Sequence, residues 1–183
     1  MNLKKHVGGA LEILVGLPLI DVTRSLDLEM FQFGERHVKR TPQGEDLVVG
    51  DWAIHIQCPW RIIGGDDLVV GSQDRHYPQD EEGEWNTQCA DVFTRCEAHV
   101  YHWLNGFSDA PLVREVEADP YGGFRVHLEG DYALEVFPAH SLRGEFSEQW
   151  RLFRPLTNTD AFIMTGHGVE DETERTGMWP AEH

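Results

Sequence analysis

The strongest constraint on the fold of this chain is an internal repeat. The segment GDWAIHI at 50–56 aligns without a gap on GDYALEV at 130–136, keeping Gly, Asp and Ala and exchanging aromatic for aromatic and aliphatic for aliphatic residues. Three further blocks recur in the same order in both halves: FQFG with the alternation of Phe124, Val126 and Leu128, WRII with WRLF, and LVVG with IMTG. A shared order of four blocks predicts an internal duplication.

Each block alternates apolar and polar residues with a period of two, which is typical of half-buried strands. Trp52, Ile54 and Ile56 fall on one face of the first copy, and the second copy repeats this spacing from Tyr132. Gly-Asp at the head of each strand is turn chemistry. We therefore predict an α+β fold of two duplicated antiparallel β-meanders, at 28–71 and 124–165, related by a pseudo-twofold axis.

The alternation also gives the approximate bounds of eight strands. They are predicted near 28–33, 51–57, 60–63, 68–71, 124–129, 131–137, 149–154 and 161–165. Only Gln57, Cys58 and Pro59 separate the second strand from the third, which is tight for a hairpin. The alternative is one long strand interrupted at Pro59, because proline lacks the amide that a ladder needs.

Equivalent positions in the two copies should share their environment. Trp52 and Tyr132 are expected to be equivalent and at least partly buried. Trp60 and Trp150 should also be buried, and the pleat should direct Arg61 and Arg151 away from the same core.

Between the copies, TQCADVFTRCEAHVYHWLNG places apolar residues at helical spacing. We predict one central helix over 88–105 that links the meanders, with Asn86 or Thr87 as its N-cap and Gly106 as its C-cap. A weaker helical or extended element is expected at 3–15. A single domain over 1–168 and a mobile acidic tail over 169–183 complete the prediction.

Composition excludes some classes of partner. Fifteen Lys and Arg against 32 Asp and Glu give a formal charge of −17, which repels phosphate backbones and anionic lipid surfaces. We therefore expect neither nucleic acid nor a membrane as a partner. The charge favours solubility, and it is compatible with a protein partner that has a basic surface.

Cysteine usage and the amino-terminal segment both favour a cytoplasmic location. The three cysteines cannot all pair within the chain and fit no disulfide-rich scaffold. The opening MNLKKHVGGALEILVGLPLI imitates a signal peptide, but Glu12 interrupts its apolar stretch and no small-residue cleavage site follows.

Two groups of residues are candidates for binding an anionic ligand. Arg61 and Arg151 share the outward face with small alanines, which would leave room for a ligand carboxylate; the alternative is a cross-strand ion pair with Asp51, Glu135 or another acidic residue. Asp74, Arg75 and His76 bring together groups that a hydrolase or an anion site would use, although a solvated loop explains them as well.

A mixed Cys/His zinc site is conceivable around Cys96, His99 and His102, joined in space by Cys58, His55 or His76. Cys89 and Cys96 lie on the apolar stripe of the predicted helix, however, and no C-x-x-C pair is present. We therefore predict no metal. The sequence has no phosphate loop, dinucleotide fingerprint, zinc-protease helix or nucleophile elbow, so no cofactor and no catalytic residue is predicted.

The motifs C-P-W-R-I at 58–62, V-V-G at 69–71, W-R-L-F at 150–153 and M-T-G at 164–166 carry a resemblance over residues 16–170. The chain is similar to an uncharacterised family of small bacterial proteins with no assigned activity. The resemblance implies a bacterial, intracellular accessory protein and transfers no functional residue.

Two functions remain open from the sequence. The first is a non-enzymatic protein-binding or accessory protein, immunity-like in size and charge, whose partner is a basic protein or a second copy of the chain. It is motivated by duplication of hydrophobic positions without duplication of a polar constellation. The second is a small-molecule-binding protein or enzyme with a site between the two β-repeats, because ligand sites favour such interfaces.

Overall fold

The computed structural model describes residues 2–41, 43–78, 94–142 and 147–170. Its helices are α1 (Leu3–Leu11) and α2 (Arg95–Asn105), with short 3-10 turns at Glu12–Leu14 and Ser72–His76. The strands in the described segments are β1 (Leu19–Ser25), β2 (Leu28–Phe33), β3 (His37–Arg40), β4 (Asp46–Val49), β5 (Trp52–Ile56), β6 (Trp60–Gly64), β7 (Asp67–Gly71), β8 (Val113–Ala118), β9 (Phe124–Leu128), β10 (Tyr132–Val136), β11 (Glu148–Arg154), β12 (Thr159–Thr165) and β13 (Gly168–Glu170).

The strands form two large antiparallel sheets and a separate hairpin. The first sheet has the order β1-β2-β5-β11-β12-β13, the second has the order β7-β6-β10-β9-β8, and β3 pairs with β4. The predicted α+β class is confirmed. All eight predicted strands are present, with ends that differ by at most two residues.

Within each predicted meander, the pairing of one strand with the next was predicted wrongly. β5 does not pair with β6; it pairs with β11, while β6 pairs with β10. The chain changes sheets at Gln57–Pro59, where Gln149 O accepts hydrogen bonds from the amides of Gln57 at 2.8 Å and Cys58 at 3.2 Å. Pro59 has no amide to donate but accepts a hydrogen bond from Phe137 N at 2.9 Å. Each half of the chain therefore contributes strands to both sheets: β1, β2 and β5 to the first and β6 and β7 to the second from one half, and β11, β12 and β13 to the first and β8, β9 and β10 to the second from the other.

The strands next to each change of sheet, β5 with β11 and β6 with β10, pair in corresponding registers. Trp60 lies opposite Val136, and Trp150 lies opposite Ile56. The last repeated block differs from the sequence alignment: Val70 lies opposite Ile62, but Phe162, not Thr165, lies opposite Leu152. The predicted match of LVVG with IMTG is thus displaced by three residues.

One hydrophobic core lies between the sheets. Trp60 and Trp150 are 3% and 0% exposed, as predicted, and both are held by aromatic contacts across the core. The Phe31 and Trp60 ring centroids are 5.3 Å apart, and those of Phe124 and Trp150 are 4.8 Å apart. Since Phe31 and Trp150 belong to the first sheet and Trp60 and Phe124 to the second, these contacts join the two layers.

Of the predicted helix 88–105 the structure describes residues 94–105, and α2 occupies Arg95–Asn105. It begins after Thr94, which forms a capping box with Glu97, and it ends at Gly106, the predicted C-cap. Residues 88–93 and the predicted N-caps lie outside the described residues. The helix buries Cys96, Val100 and Trp103 on one face, as its spacing predicted.

The elements near the two ends of the described chain lie close to their predicted positions. The element expected at 3–15 is helical and buries Val7, Leu11 and Leu14. The predicted tail begins two residues too early, because Val169 and Glu170 belong to β13 and pair with β12. Residues 171–183 lie outside the described part.

Candidate functional site

A cavity of about 570 Å³ lies between helix α2 and the edge strand β1. Its apolar wall includes Ile20 and Val22 from β1, and Val100 and Leu104 from α2. Its polar residues include Arg24, Glu29, Arg36 and Glu97. The volume is in the range typical of small-molecule sites.

Strand alternation brings a carboxyl group to this cavity. Glu29, Phe31 and Phe33 share one face of β2, the face that covers the core. Glu29 lies directly opposite Arg24 in the β1–β2 pair, so the two side chains emerge on the same side of the sheet. Arg24 and Glu29 therefore occupy the end of an otherwise apolar face.

Glu29 is buried without a full set of partners. The residue is 3% exposed, and its Oε2 atom has no hydrogen-bond partner among the described residues. Burial is the main cause that raises the pKa of Glu29 from 4.5 to about 8, the negative charge of Glu97 adds to it, and Arg24 and Arg75 oppose it. The raised pKa favours the protonated form of this carboxyl, which can donate a hydrogen bond.

Glu97, by contrast, is held as a carboxylate. Arg24, whose side chain is 6% exposed, forms an ion pair with Glu97 and donates to Leu26 O at 2.8 Å. Glu97 also accepts hydrogen bonds from the Thr94 amide at 2.8 Å and from the Thr94 hydroxyl. Burial opposes its ionisation, but these hydrogen bonds keep the pKa of Glu97 below its usual value.

The exposed edge of β1 is partly capped. Arg36 donates to Ile20 O at 2.5 Å, and the Asp21 carboxylate accepts from Val22 N at 3.0 Å. An added strand would have to displace both contacts, because it pairs through edge amides and carbonyls. The geometry therefore favours a ligand in the cavity over an extended peptide along the edge.

The predicted group at 74–76 borders the same region. Asp74 Oδ2 accepts from Gly71 N at 2.8 Å, and its other oxygen lies 3.4 Å from Arg95 Nε on α2. Arg75 donates to Asp27 O at 3.3 Å and lies 3.4 Å from His76 Nε2. The positive charge of Arg75 acts on Glu29, so the loop contributes to the electrostatics of the cavity.

The predicted arginines Arg61 and Arg151 lie on different sheets. Arg61 forms the cross-strand ion pair with Glu135 that was the alternative for this residue, and Arg125 pairs with the same carboxylate. Burial opposes ionisation of Glu135, but hydrogen bonds from the two arginines lower its pKa.

Arg151 pairs with Glu148, with both nitrogen–oxygen distances at 2.6 Å, and lies opposite His55 on β5. Burial, followed by the charge of Arg151, lowers the pKa of His55 to about 4. Ala53, which was expected to leave room on this face, is fully buried.

A second, more open groove of about 650 Å³ lies on the outer face around Ala133, where β6 meets β10. Its cationic residues already have acidic neighbours: Arg125 pairs with Glu135, and Arg114 pairs with Glu129. A ligand carboxylate would have to compete with these pairs. His127 Nε2 also lines this groove without a hydrogen bond, but it lies 3.5 Å from Glu117 Oε1. The cavity at Glu29 is the better candidate, because Glu29 is only 3% exposed and its unpartnered oxygen has no such ion pair.

Arg24, Glu29 and Glu97 were not among the site residues predicted from the sequence. A signal was present for Glu29, because a lone acidic residue occupies the apolar face shared by Phe31 and Phe33. Its pairing with Arg24 followed from the β1–β2 hairpin. The proximity of Glu97 could not be inferred, since Arg24 and Glu97 are 73 residues apart in sequence.

The conceivable zinc ligands do not come together. Cys96 is fully buried, His99 Nδ1 lies 3.1 Å from Val69 O, and Cys58 is buried at the crossing between the sheets. Within the described segments, no group of three or more His, Cys, Asp or Glu residues could hold a metal ion.

The buried thiols give a testable property of this region. Burial raises the pKa of Cys58 to about 12 and also raises that of Cys96, near which Glu29 and Glu97 add negative charge. A Cys89→Ser variant keeps only Cys58 and Cys96. Ellman's reagent at pH 8 should modify neither thiol in the native variant, because the thiolate is the nucleophile, and both thiols after unfolding. Stoichiometric modification of the native variant would contradict the burial described here.

Comparisons with protein-family models, with curated proteins and with solved structures gave no significant match. Across the described residues, no helix combines the length and apolar character needed to cross a bilayer.

Proposed function

We propose that this chain is a small-molecule-binding protein whose site is the cavity between α2 and β1. The observation that carries the proposal is the Glu29 carboxyl, which is 3% exposed, lines the cavity and has an unpartnered oxygen. Such a group destabilises a fold unless something compensates, so its presence beside a cavity of ligand size is characteristic of a binding site.

This site differs in place from the one expected between the β-repeats. It uses β1 and β2 from the amino-terminal half together with α2, the element that follows the first repeat in sequence. The protein-binding function remains a prediction supported by the charge of −17, which favours association with a basic surface.

A cavity-filling variant tests the proposed function. Leu104 lines the cavity and is only partly buried, so Leu104→Trp should fill the space while preserving the fold. Fragments that bind the wild-type protein in ligand-observed NMR should lose binding to this variant. The matched control is Leu68→Trp, at a position that is 64% exposed, which should leave binding unchanged.

Two results would contradict the proposal. One is that no fragment binds the folded wild-type protein at millimolar concentration. The other is that fragments bind both tryptophan variants equally, which would place their site elsewhere.

We also propose that the two halves are duplicates related by a pseudo-twofold axis, with α2 as the central link. In support, β1-β2-β5-β11-β12 and β8-β9-β10-β6-β7 correspond strand for strand when the halves are exchanged. The β6–β10 and β5–β11 registers also correspond at Trp60 and Trp150. Superposition of the two sets of strands by their Cα atoms tests this relation.

A further inference from the structure

We infer that the cavity selects an uncharged ligand that presents a hydrogen-bond acceptor oxygen, such as a carbonyl, to Glu29. The inference rests on the proposed binding function and adds the chemical class of the ligand. It follows from the charged groups around Glu29, which already have partners within the protein, and from the buried Glu29 oxygen, which has none among the described residues.

The charged groups facing Glu29 come from three elements. Arg24 on β1 is committed to Glu97 and to Leu26 O. Glu97 on α2 accepts from both Arg24 and Thr94. Arg75, in the 3-10 turn after β7, is hydrogen-bonded to Asp27 O. Each of these charges has a partner within the protein.

A protonated Glu29 adds a donor to this balanced set. An acceptor oxygen on the ligand would satisfy the buried carboxyl without introducing a new charge. The apolar wall formed by Val22, Val100 and Leu104 would take the hydrocarbon part of the same ligand. Acceptor and apolar body together define the ligand class.

A cationic ligand fits less well. It would be bound by an ionised Glu29, but that ionisation is opposed by burial and by the neighbouring Glu97 carboxylate. The cation would also lie near Arg24 and Arg36, which line the cavity. An anionic ligand would meet the Glu97 carboxylate and a chain with a charge of −17, while Arg24 and Arg36 are already engaged by Glu97 and by Ile20 O.

Three probes with the same ring and different polar groups test this inference: benzamide, benzylamine and benzoate. Their dissociation constants are measured by ligand-observed NMR at pH 7 and pH 9 with the full chain and with Glu29→Gln and Glu29→Leu. Gln retains an N–H donor at position 29, whereas Leu removes the donor.

Benzamide should bind the wild-type chain more tightly than either charged probe. Its affinity should fall by about tenfold from pH 7 to pH 9, because the protonated fraction of a group with a pKa of about 8 falls by that factor. Glu29→Gln should bind benzamide with no such pH dependence, and Glu29→Leu should bind it at least tenfold more weakly.

The other outcomes separate the two proposals. Tighter binding of benzylamine or benzoate, lost in Leu104→Trp, would overturn the ligand class while leaving the proposed binding function intact. Benzamide binding that is unchanged in Glu29→Leu, or that has the same pH dependence in Glu29→Gln, would also overturn the class. If none of the three probes binds the folded wild-type chain, the inferred ligand class is wrong.

Discussion

Glu29→Gln is expected to stabilise the protein by roughly 3–5 kcal/mol at pH 8–9, with a much smaller gain near pH 5. The native state retains the Glu29 proton up to a pKa of about 8, whereas the unfolded chain loses it near 4.5. Between these values the native state binds more protons, so the stability of the wild-type protein falls as pH rises. Gln cannot ionise and should escape this loss.

Urea unfolding at a series of pH values measures this difference. Glu115→Gln, at an exposed position, serves as the control and should change the free energy of unfolding by less than about 0.5 kcal/mol. A Glu29→Gln gain that is the same at pH 5 and pH 9 would show that ionisation of Glu29 is not the cause. A Glu29→Gln variant that is less stable than the wild-type protein at pH 9 would contradict a buried, protonated carboxyl at position 29.

Trp150→Ala is expected to destabilise the protein by roughly 3–5 kcal/mol, the usual effect of removing a large aromatic side chain from a core. Trp150 is completely buried, packs against Phe124 and Phe162, and donates from Nε1 to Gly122 O at 2.8 Å. Its removal would leave a cavity and an unsatisfied carbonyl between the two sheets. Such a loss is comparable to the whole stability of a marginal domain.

Trp150→Phe separates packing from the hydrogen bond, because it keeps an aromatic ring and removes the Nε1 donor. It should retain part of the stability lost in Trp150→Ala when the denaturant midpoints are compared. Tyr121→Ala, at a position 79% exposed, is the control for loss of an aromatic residue at the surface. A Trp150→Ala variant as stable as this control would exclude a core role for Trp150.

The local pattern was sufficient to predict eight of the strands in the described segments and many of their faces. Alternation around Trp52 and Tyr132 predicted β5 and β10, and the helical stripe through Cys96 and Trp103 predicted the described part of α2. It missed β1, β3, β4, β8 and β13. The residues of β3 and β4 are largely exposed and include no apolar alternation strong enough to distinguish a hairpin from a loop.

Strand pairing is where the sequence was insufficient. The period of two residues specifies which face of a strand is buried, but it does not specify the neighbouring strand. The short link at Gln57–Pro59 is compatible with either a hairpin or a change of sheet. Only the tertiary structure places β5 beside β11, because that choice depends on hydrogen bonds to Gln149, distant in sequence.

The repeated blocks by themselves therefore determined the strand-rich character, the approximate strand bounds and the burial of Trp60 and Trp150. Tertiary structure decided the change of sheet after β5 and after β10 and the assembly of Arg24, Glu29 and Glu97 beside one cavity. The physical reason is that alternation is a local property of a strand. Burial of a carboxyl and the choice of its neighbours depend instead on how distant segments pack.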